Sequence, residues 1–421
     1  MTDQRTPPSG QPSAVPQPDL APRTVARGRV AVTSVFVLNG LVFASWVSRI
    51  PAVRDGLQLS TARVGLVLLA MSLGAVLALP STGAVVPRLG PSATVRAGAL
   101  VCTVGLTLAA VAAGVAGGVP LLVTGLFLMG FGSGSWDVAM NVEGAEIERR
   151  KGRSVMPQFH GAWSIGGVVG AGVGTLLNAV GVPTVVHLLG TAGLVLALAQ
   201  LSCSWFLPAA PPVDGPAPER RNALAAWLEP RTLAIGFLVL AFAFTEGTAN
   251  DWLALAVVDG YDVRNAIGVL TFTVFTVAMT TGRLLGTRLL DRFGRVVVLR
   301  ALALVALAGL LLVIVGGSLP VAMVGALLWG AGASLGFPVG MSAAAHDPAH
   351  AAARVSVVAS IGYTAFLAGP PAIGFLAEHV GTLDSLWIVL VVLVLGFVAA
   401  GAAREDDAGA ARKDDDRAAR G

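Results

Sequence analysis

Eight stretches of this chain carry no Asp, Glu, Lys or Arg: residues 30–48, 64–87, 97–136, 154–213, 265–282, 301–346, 355–377 and 385–403. Spanning the roughly 30 Å apolar core of a bilayer takes about 20 apolar residues in a helix, so each stretch is long enough for at least one crossing. Three of them (97–136, 154–213 and 301–346) contain Gly/Pro-marked breaks and read as two crossings each. Residues 232–250 add one more, interrupted only by Glu246. The expectation is an all-α membrane protein with about twelve spanning helices. Barrel strands are excluded, because they would alternate polar and apolar residues in segments of about ten, whereas these runs are continuously apolar.

Charge supports this and sets the orientation. Charged residues make up only 12% of the chain, against about 25% in soluble domains. With the N-terminus in the cytoplasm, 23 of the 28 Lys and Arg fall on the cytoplasmic side, four (Arg49, Arg54, Arg63 and Arg264) fall outside, and Arg283 lies in a helix. That bias gives an N-in, C-in topology. It also accounts for the basic patch at Arg149, Arg150, Lys151 and Arg153 without nucleic acid. Cys102 and Cys203 both fall inside helices and read as small apolar packing residues. The histidines and cysteines are too few for a metal-ligand cluster, so neither metal nor cofactor is expected.

Residues 1–28, rich in Pro, Gln and Ser, read as a disordered cytoplasmic tail. A six-helix half (29–207) follows, then a polar cytoplasmic linker (208–230), a second six-helix half (231–403) and a charged cytoplasmic tail (404–421). The halves repeat. Shifted by 200, Gly130 and Gly132 fall on Gly330 and Gly332, Trp163 on Tyr363 and Gly174 on Gly374. Shifted by 204, Arg88-Leu89-Gly90 falls on Arg292-Phe293-Gly294. Weakly matching membrane halves characterise carriers that hold a solute between the halves and expose it to each side in turn.

The loop Gly83-Ala-Val-Val-Pro-Arg88-Leu-Gly90 and the matched Asp291-Arg292-Phe-Gly294-Arg295 resemble the G-x-x-x-D-R-x-G signature of the major facilitator superfamily. The blocks NGLVFASWVSRIP (39–51), WDVAMNVEG (136–144), QFHGAWSIG (158–166), EGTANDW (246–252) and GYTAFLAGPPAIG (362–374) resemble its YbjJ-like and MosC-like (rhizopine-permease-like) branch, near the fucose-permease group. The resemblance covers nearly the whole chain outside the tails. It implies a major facilitator fold, in which the first helix of each three-helix unit (1, 4, 7 and 10) lines a central cavity, and it implies alternating access. The two loops would act as a cytoplasmic gate. Pro87 stands where the signature usually has Asp, so that half of the latch is missing, while Asp291 retains it in the other half. Asn39 stands where fucose-type permeases carry a carboxylate, and those permeases also imply a coupling acid on helix 4.

Ionisable residues in hydrocarbon are costly and mark pathways by default. Asp137 falls about 25 Å along helix 4, in its cytoplasmic half, with Asn141 one turn on. A carboxylate that takes up and releases a proton as the cavity opens can couple transport to a proton gradient. Glu246 is expected in the outer half of helix 7, with Asn250 a turn beyond and Asp251 and Trp252 at the boundary. His160, early in helix 5 behind Gln158, is the third candidate for proton coupling and a possible partner for Asp137. Asn39, Asn141, Gln158, Trp163, Asn250 and Tyr363 are candidate cavity residues, the two aromatics offering amphipathic faces to a sugar ring. Static hydrogen bonding and packing are the competing roles for all of these.

These features favour a multi-pass secondary transporter of the inner or plasma membrane, monomeric, working between lipid, protons and a small polar solute. Proton-driven export of a drug or metabolite is the alternative. A remote rival is an intramembrane serine protease, on the G-x-S-x-G match at Gly332-Ala-Ser334-Leu-Gly336, although that motif's elbow needs a strand-to-helix turn. No G-x-x-x-x-G-K-[ST] loop for ATP is present.

Overall fold

The structure, a computed structural model, describes residues 21–113, 118–151, 155–208, 226–344 and 351–404. Twelve helices among them are long and apolar enough to cross a membrane. We number them α1 (Pro22–Gly56), α2 (Thr61–Thr82), α3 (Arg88–Ala112), α4 (Val119–Lys151), α5 (Gln158–Ala179), α6 (Thr184–Cys203), α7 (Pro230–Tyr261), α8 (Asn265–Gly286), α9 (Arg295–Val315), α10 (Leu319–Ala344), α11 (Arg354–Val380) and α12 (Asp384–Ala403). The chain is thus an all-α, multi-pass membrane protein. Helix α1 starts at Pro22, inside the segment expected to be a disordered tail, because proline suits the first helical turn, where no N–H partner is needed. Residues 1–20, 209–225 and 405–421, which hold the rest of both tails and most of the linker, lie outside the described residues.

Helices in lipid gain no hydrophobic force by meeting one another, so close approach of small residues does the work. The repeat seen in sequence places the same crossings in both halves. A Cβ on Gly105 would fall 2.3 Å from the Met129 nitrogen, and one on Gly309 2.3 Å from the Trp329 nitrogen. Gly130 abuts the Met71 carbonyl as Gly330 abuts that of Phe275. Gly132 abuts Cys102 as Gly332 abuts Ala306. The turns match too: Gly90 (φ 78°, ψ 161°) breaks the helical run Thr61–Ala112 where α2 gives way to α3, and Gly294 (φ 76°, ψ 161°) stands at the same place between α8 and α9. Such positive φ is open to glycine and strained for other residues, which explains the last glycine of each signature loop.

Prolines break helices where the carbonyl four residues earlier loses its donor. Pro51 interrupts α1 after Val47, and Pro338 interrupts α10 around Ser334. At the first break Arg49, expected in an outer loop, is instead only 2% exposed. Its Nε donates to His187 Nδ1 at 2.9 Å and its Nη1 to Asn178 Oδ1 at 2.9 Å, tying α1 to α6 and α5. Both cysteines are buried and free.

The halves meet along two seams. On one, α2 packs on α11, where Gly65 lies against the carbonyl of Pro370. On the other, α5 packs on α8, where the Thr175 and Thr273 hydroxyls are 2.9 Å apart. At the outer ends Arg54 Nη1 donates to both oxygens of Asp259 at 2.6 Å, and Asn265 Nδ2 donates to Asp55 Oδ2 at 2.9 Å. Glu378 Oε2 accepts from Thr61 Oγ1 at 2.9 Å and from the Ala62 amide at 3.0 Å. These bonds latch the outer face across the two halves.

Replacing Gly130 or Gly330 with Leu should force apart the helices that meet there and destabilise the protein by about 1–3 kcal/mol. A Cβ added at Gly190 would meet nothing within 4 Å, so Gly190→Leu should leave thermal unfolding of the purified protein unchanged. Equal unfolding temperatures for all three variants would contradict the assignment of these crossings.

Candidate functional site

A belt of polar side chains from both halves lies about 22–28 Å below the outer ends of their helices, at 1.5 Å per residue. It contains Asn39 on α1, Asp137 on α4, His160 and Trp163 on α5, Glu246 on α7, Arg283 on α8 and Tyr363 on α11.

The N-terminal side of the belt depends on glycine. Gly40 lies against the carbonyl of Trp163, and Gly166 and Gly170 lie against those of Val37 and Leu41. The resulting approach of α1 and α5 lets Trp163 Nε1 donate to Asn39 Oδ1 at 3.0 Å. Asn39 Nδ2 in turn donates to Ser133 Oγ on α4 at 3.2 Å. Asn39 is therefore engaged on both ends of its amide and joins three helices. One turn nearer the cytoplasm, Asn141 Nδ2 donates to the Asp137 backbone carbonyl at 2.9 Å and to Asp137 Oδ1 at 3.2 Å. Among the described residues no cation is bonded to Asp137, which is half-buried.

Glu246 and Arg283 make the central ion pair. Arg283 Nη2 lies 2.8 Å from each Glu246 carboxylate oxygen. Its Nε donates to the Ser334 carbonyl at 3.2 Å, the very carbonyl that Pro338 leaves without a helical donor. Its Nη1 reaches Ser164 Oγ, in the other half, at 3.4 Å. Glu246 is 8% exposed. It is level with the belt, midway along α7 and not in its outer half as expected, because α7 continues through Asp251 and Trp252 to Tyr261. Those two residues lie inside the helix, within a π-helical turn at Ala249–Leu253.

Other expected groupings differ. His160 forms no hydrogen bond with Asp137; its ring stands edge-on to Phe36, with centroids 5.4 Å apart, and lies in the field of Arg283. Tyr363 of α11 lies in the field of Asp137, and its ring is 6.4 Å from that of Phe366. Gln158 is exposed at the inner end, accepting from Arg29 Nη2 at 2.7 Å. Asn250 is half-buried. Of the expected cytoplasmic gate, Arg88 and Asp291 are exposed and form no hydrogen bond among the described residues. Arg292 lies over the Phe293 ring at 5.2 Å, and Arg295 donates to Ser342 Oγ at 3.2 Å. Gly83 lies in the helical run from Thr61 to Ala112. Ser334, raised by the protease motif, is fully buried in α10, and its hydroxyl donates to the Ala331 carbonyl at 2.7 Å.

The sequence placed Arg283 only within a helix, and it did not single out Ser133 or Ser164 as site residues. The only signal for the serines was their place on helices 4 and 5, facing the same depth as Asn39 and Arg283. Chemically, the belt carries an imidazole (His160) and a phenol (Tyr363) beside the Asn39 amide and Trp163 indole, which already bond one another. It holds two carboxylates, one neutralised by a guanidinium and one free of any cation among the described residues.

Removing one member of a buried ion pair leaves the other charge uncompensated, which costs about 3–5 kcal/mol. Arg283→Met should lower stability by about 3 kcal/mol on that basis, and adding Glu246→Leu should restore much of it. Additive losses in a double-mutant cycle, read by thermal unfolding, would show that the pair is not coupled.

A family model described as Major Facilitator Superfamily matches residues 31–346 and 266–420. The chain is 34% identical over 352 residues to an uncharacterized transporter, y4wD, of Sinorhizobium fredii, covering 82% of this chain and 90% of the relative. It is 28% identical over 369 residues to the membrane protein MosC of Rhizobium meliloti, covering 87% of each. Among solved structures it is similar to an Escherichia coli fucose:proton symporter, with a TM-score of 0.65 and 17% identity over 91% of this chain and all of that one.

Proposed function

Since the chain belongs to the major facilitator superfamily and is a transporter, we propose that it carries a small, polar, sugar- or polyol-like solute by alternating access, coupled to protons. It acts as a monomer in the inner or plasma membrane, and its two six-helix halves rock about the belt. The observation that carries this reading is the belt itself. Residues of both halves converge at one depth, and the outer face above them is latched. A solute held there touches α1, α4 and α5 on one side and α7, α8 and α11 on the other. Opening the latch and closing the inner ends then moves its access from one side to the other.

Asp137 is the coupling group in this reading. Its carboxylate has one hydrogen-bond donor on its own helix and no bonded cation among the described residues. Ionisation there is tolerated when water enters and is costly when the cavity is dry. Taking up a proton before the cavity closes removes that cost. The fucose:proton symporter, as a fold neighbour, agrees with a sugar-like solute and with protons as the coupling ion.

The substrate class is tested by thermal stabilisation of the purified protein with L-fucose, D-xylose, myo-inositol and amphiphilic toxins. A ligand at about 100 times its Kd adds about 2.7 kcal/mol. Stabilisation by amphiphiles alone would replace the sugar reading with export. In proteoliposomes, the solute so found should move protons with the wild-type chain, and Asp137→Asn should abolish that movement while solute exchange continues. Undiminished proton movement in Asp137→Asn would remove the coupling role. The latch has its own test. Asp259→Asn should raise several-fold the rate at which an outside-added impermeant maleimide labels Asn250→Cys. An unchanged rate would mean that the Arg54–Asp259 contact does not hold the outer face shut.

A further inference from the structure

Helix α7 holds one carboxylate that neither the belt nor the latch uses. Asp251 lies in the π-helical turn at Ala249–Leu253, about 15 Å below Tyr261 at 1.5 Å per residue and hence near the middle of a 30 Å apolar core. The latch residue Asp259 is about 12 Å further out along the same helix. Asp251 and Asn250 are half-buried, while Ala249, Trp252 and Leu253 around them are buried. The π turn inserts a residue into the helix, and such insertions recur at functional sites despite their poorer hydrogen bonding.

Every other described carboxylate that is not exposed accepts a hydrogen bond. Asp137 accepts from Asn141, Glu143 from the Leu207 amide, Glu146 from Arg150, Glu148 from the amides of Val155 and Met156, Glu229 from Thr232 and Glu246 from Arg283. Asp251 accepts none among the described residues. The helices packed against α7 bring no charge to it. On α8, Arg283 is held by Glu246; on α1, Arg54 is held by Asp259; on α11, Glu378 is held by Thr61 and Ala62 at the outer rim. Helix α10 carries no charged residue along its span, and Asp384 of α12 is exposed at its outer end. No charged or hydrogen-bonding group among the described residues acts on Asp251. A second unused group lies one turn away: Thr248, 3% exposed, has a buried hydroxyl with no partner.

An ionised carboxylate with no donor and no cation is the costliest state an acid can take at this depth. Opening the latch lets water reach it, and there the ionised form is tolerated. The two ends of the transport cycle therefore prefer different protonation states at this residue. Resting on the reading of the chain as a proton-coupled carrier, we infer that Asp251 is a second proton-carrying group, the one loaded from the outer side, while Asp137 serves the inner side. The carboxylate takes one proton from outer water and keeps it as the latch closes.

Infrared difference spectroscopy of the full chain in proteoliposomes, with a pH step applied in the bath, tests this without a known solute. The wild type should show protonated-carboxyl bands that respond to the step. Asp251→Asn should lose one band that Asp137→Asn retains, and Asp251→Glu should shift that band rather than remove it. If Asp251→Asn fails to fold, the Asp251→Glu shift carries the assignment. Bands identical to the wild type in both Asp251 variants would overturn the inference. Loss of a band only in Asp137→Asn would overturn it while leaving the coupling role of Asp137 standing.

Discussion

Close contact between bare helix backbones underlies everything else in this molecule. In water, apolar faces would drive helices together; in lipid they gain nothing by it, and dispersion at very short range has to serve. Glycine provides that range. Where Gly40 meets the Trp163 carbonyl, and Gly166 and Gly170 meet those of α1, two helices come near enough for an indole to reach an amide. Side chains at those glycines would separate α1 from α5 and break the Asn39–Trp163 bond. The same device, repeated at Gly105 and Gly309, at Gly130 and Gly330 and at Gly132 and Gly332, gives the two halves one internal architecture.

Proline supplies the complementary device. It removes a donor from the helix ladder, and in hydrocarbon the orphaned carbonyl must find another. At Ser334 that donor is Arg283, which thereby gains an anchor in α10 as well as a partner in Glu246. A break in one helix thus helps fix the charge at the centre of the belt. Pro51 acts likewise on α1, where the interruption turns Arg49 inward toward His187 and Asn178. The N-terminal half is braced near its outer end by a buried guanidinium, while at the outer face the two halves are joined by one partly exposed ion pair, Arg54–Asp259, and by hydrogen bonds. This division of labour suits halves that move as rigid units.

Much of the fold was legible along the chain. The charge-free runs marked the spanning helices, and the offsets of 200 and 204 located the crossings that the structure places in both halves. Several candidate residues were named singly, but their partners were not. Asn39 and Trp163 are far apart in sequence, and nothing in either segment states that they bond. The depth of Glu246 was misjudged because the apolar run appeared to stop at Asn250, whereas α7 carries Asp251 inward and ends only at Tyr261. Arg49 read as an outer-loop residue because it ends the charge-free run 30–48.

The amino-acid order alone settled that this chain has about twelve helices able to span a membrane and that it is built from two related halves. Those properties follow from the cost of charge in hydrocarbon and from spacing along a single helix, both of which are local. Tertiary structure decided which carboxylates are paired, which carbonyl receives Arg283, and which polar residues share one depth. These depend on how each helix is rotated and raised against its neighbours, and that is set by contacts between residues distant in sequence.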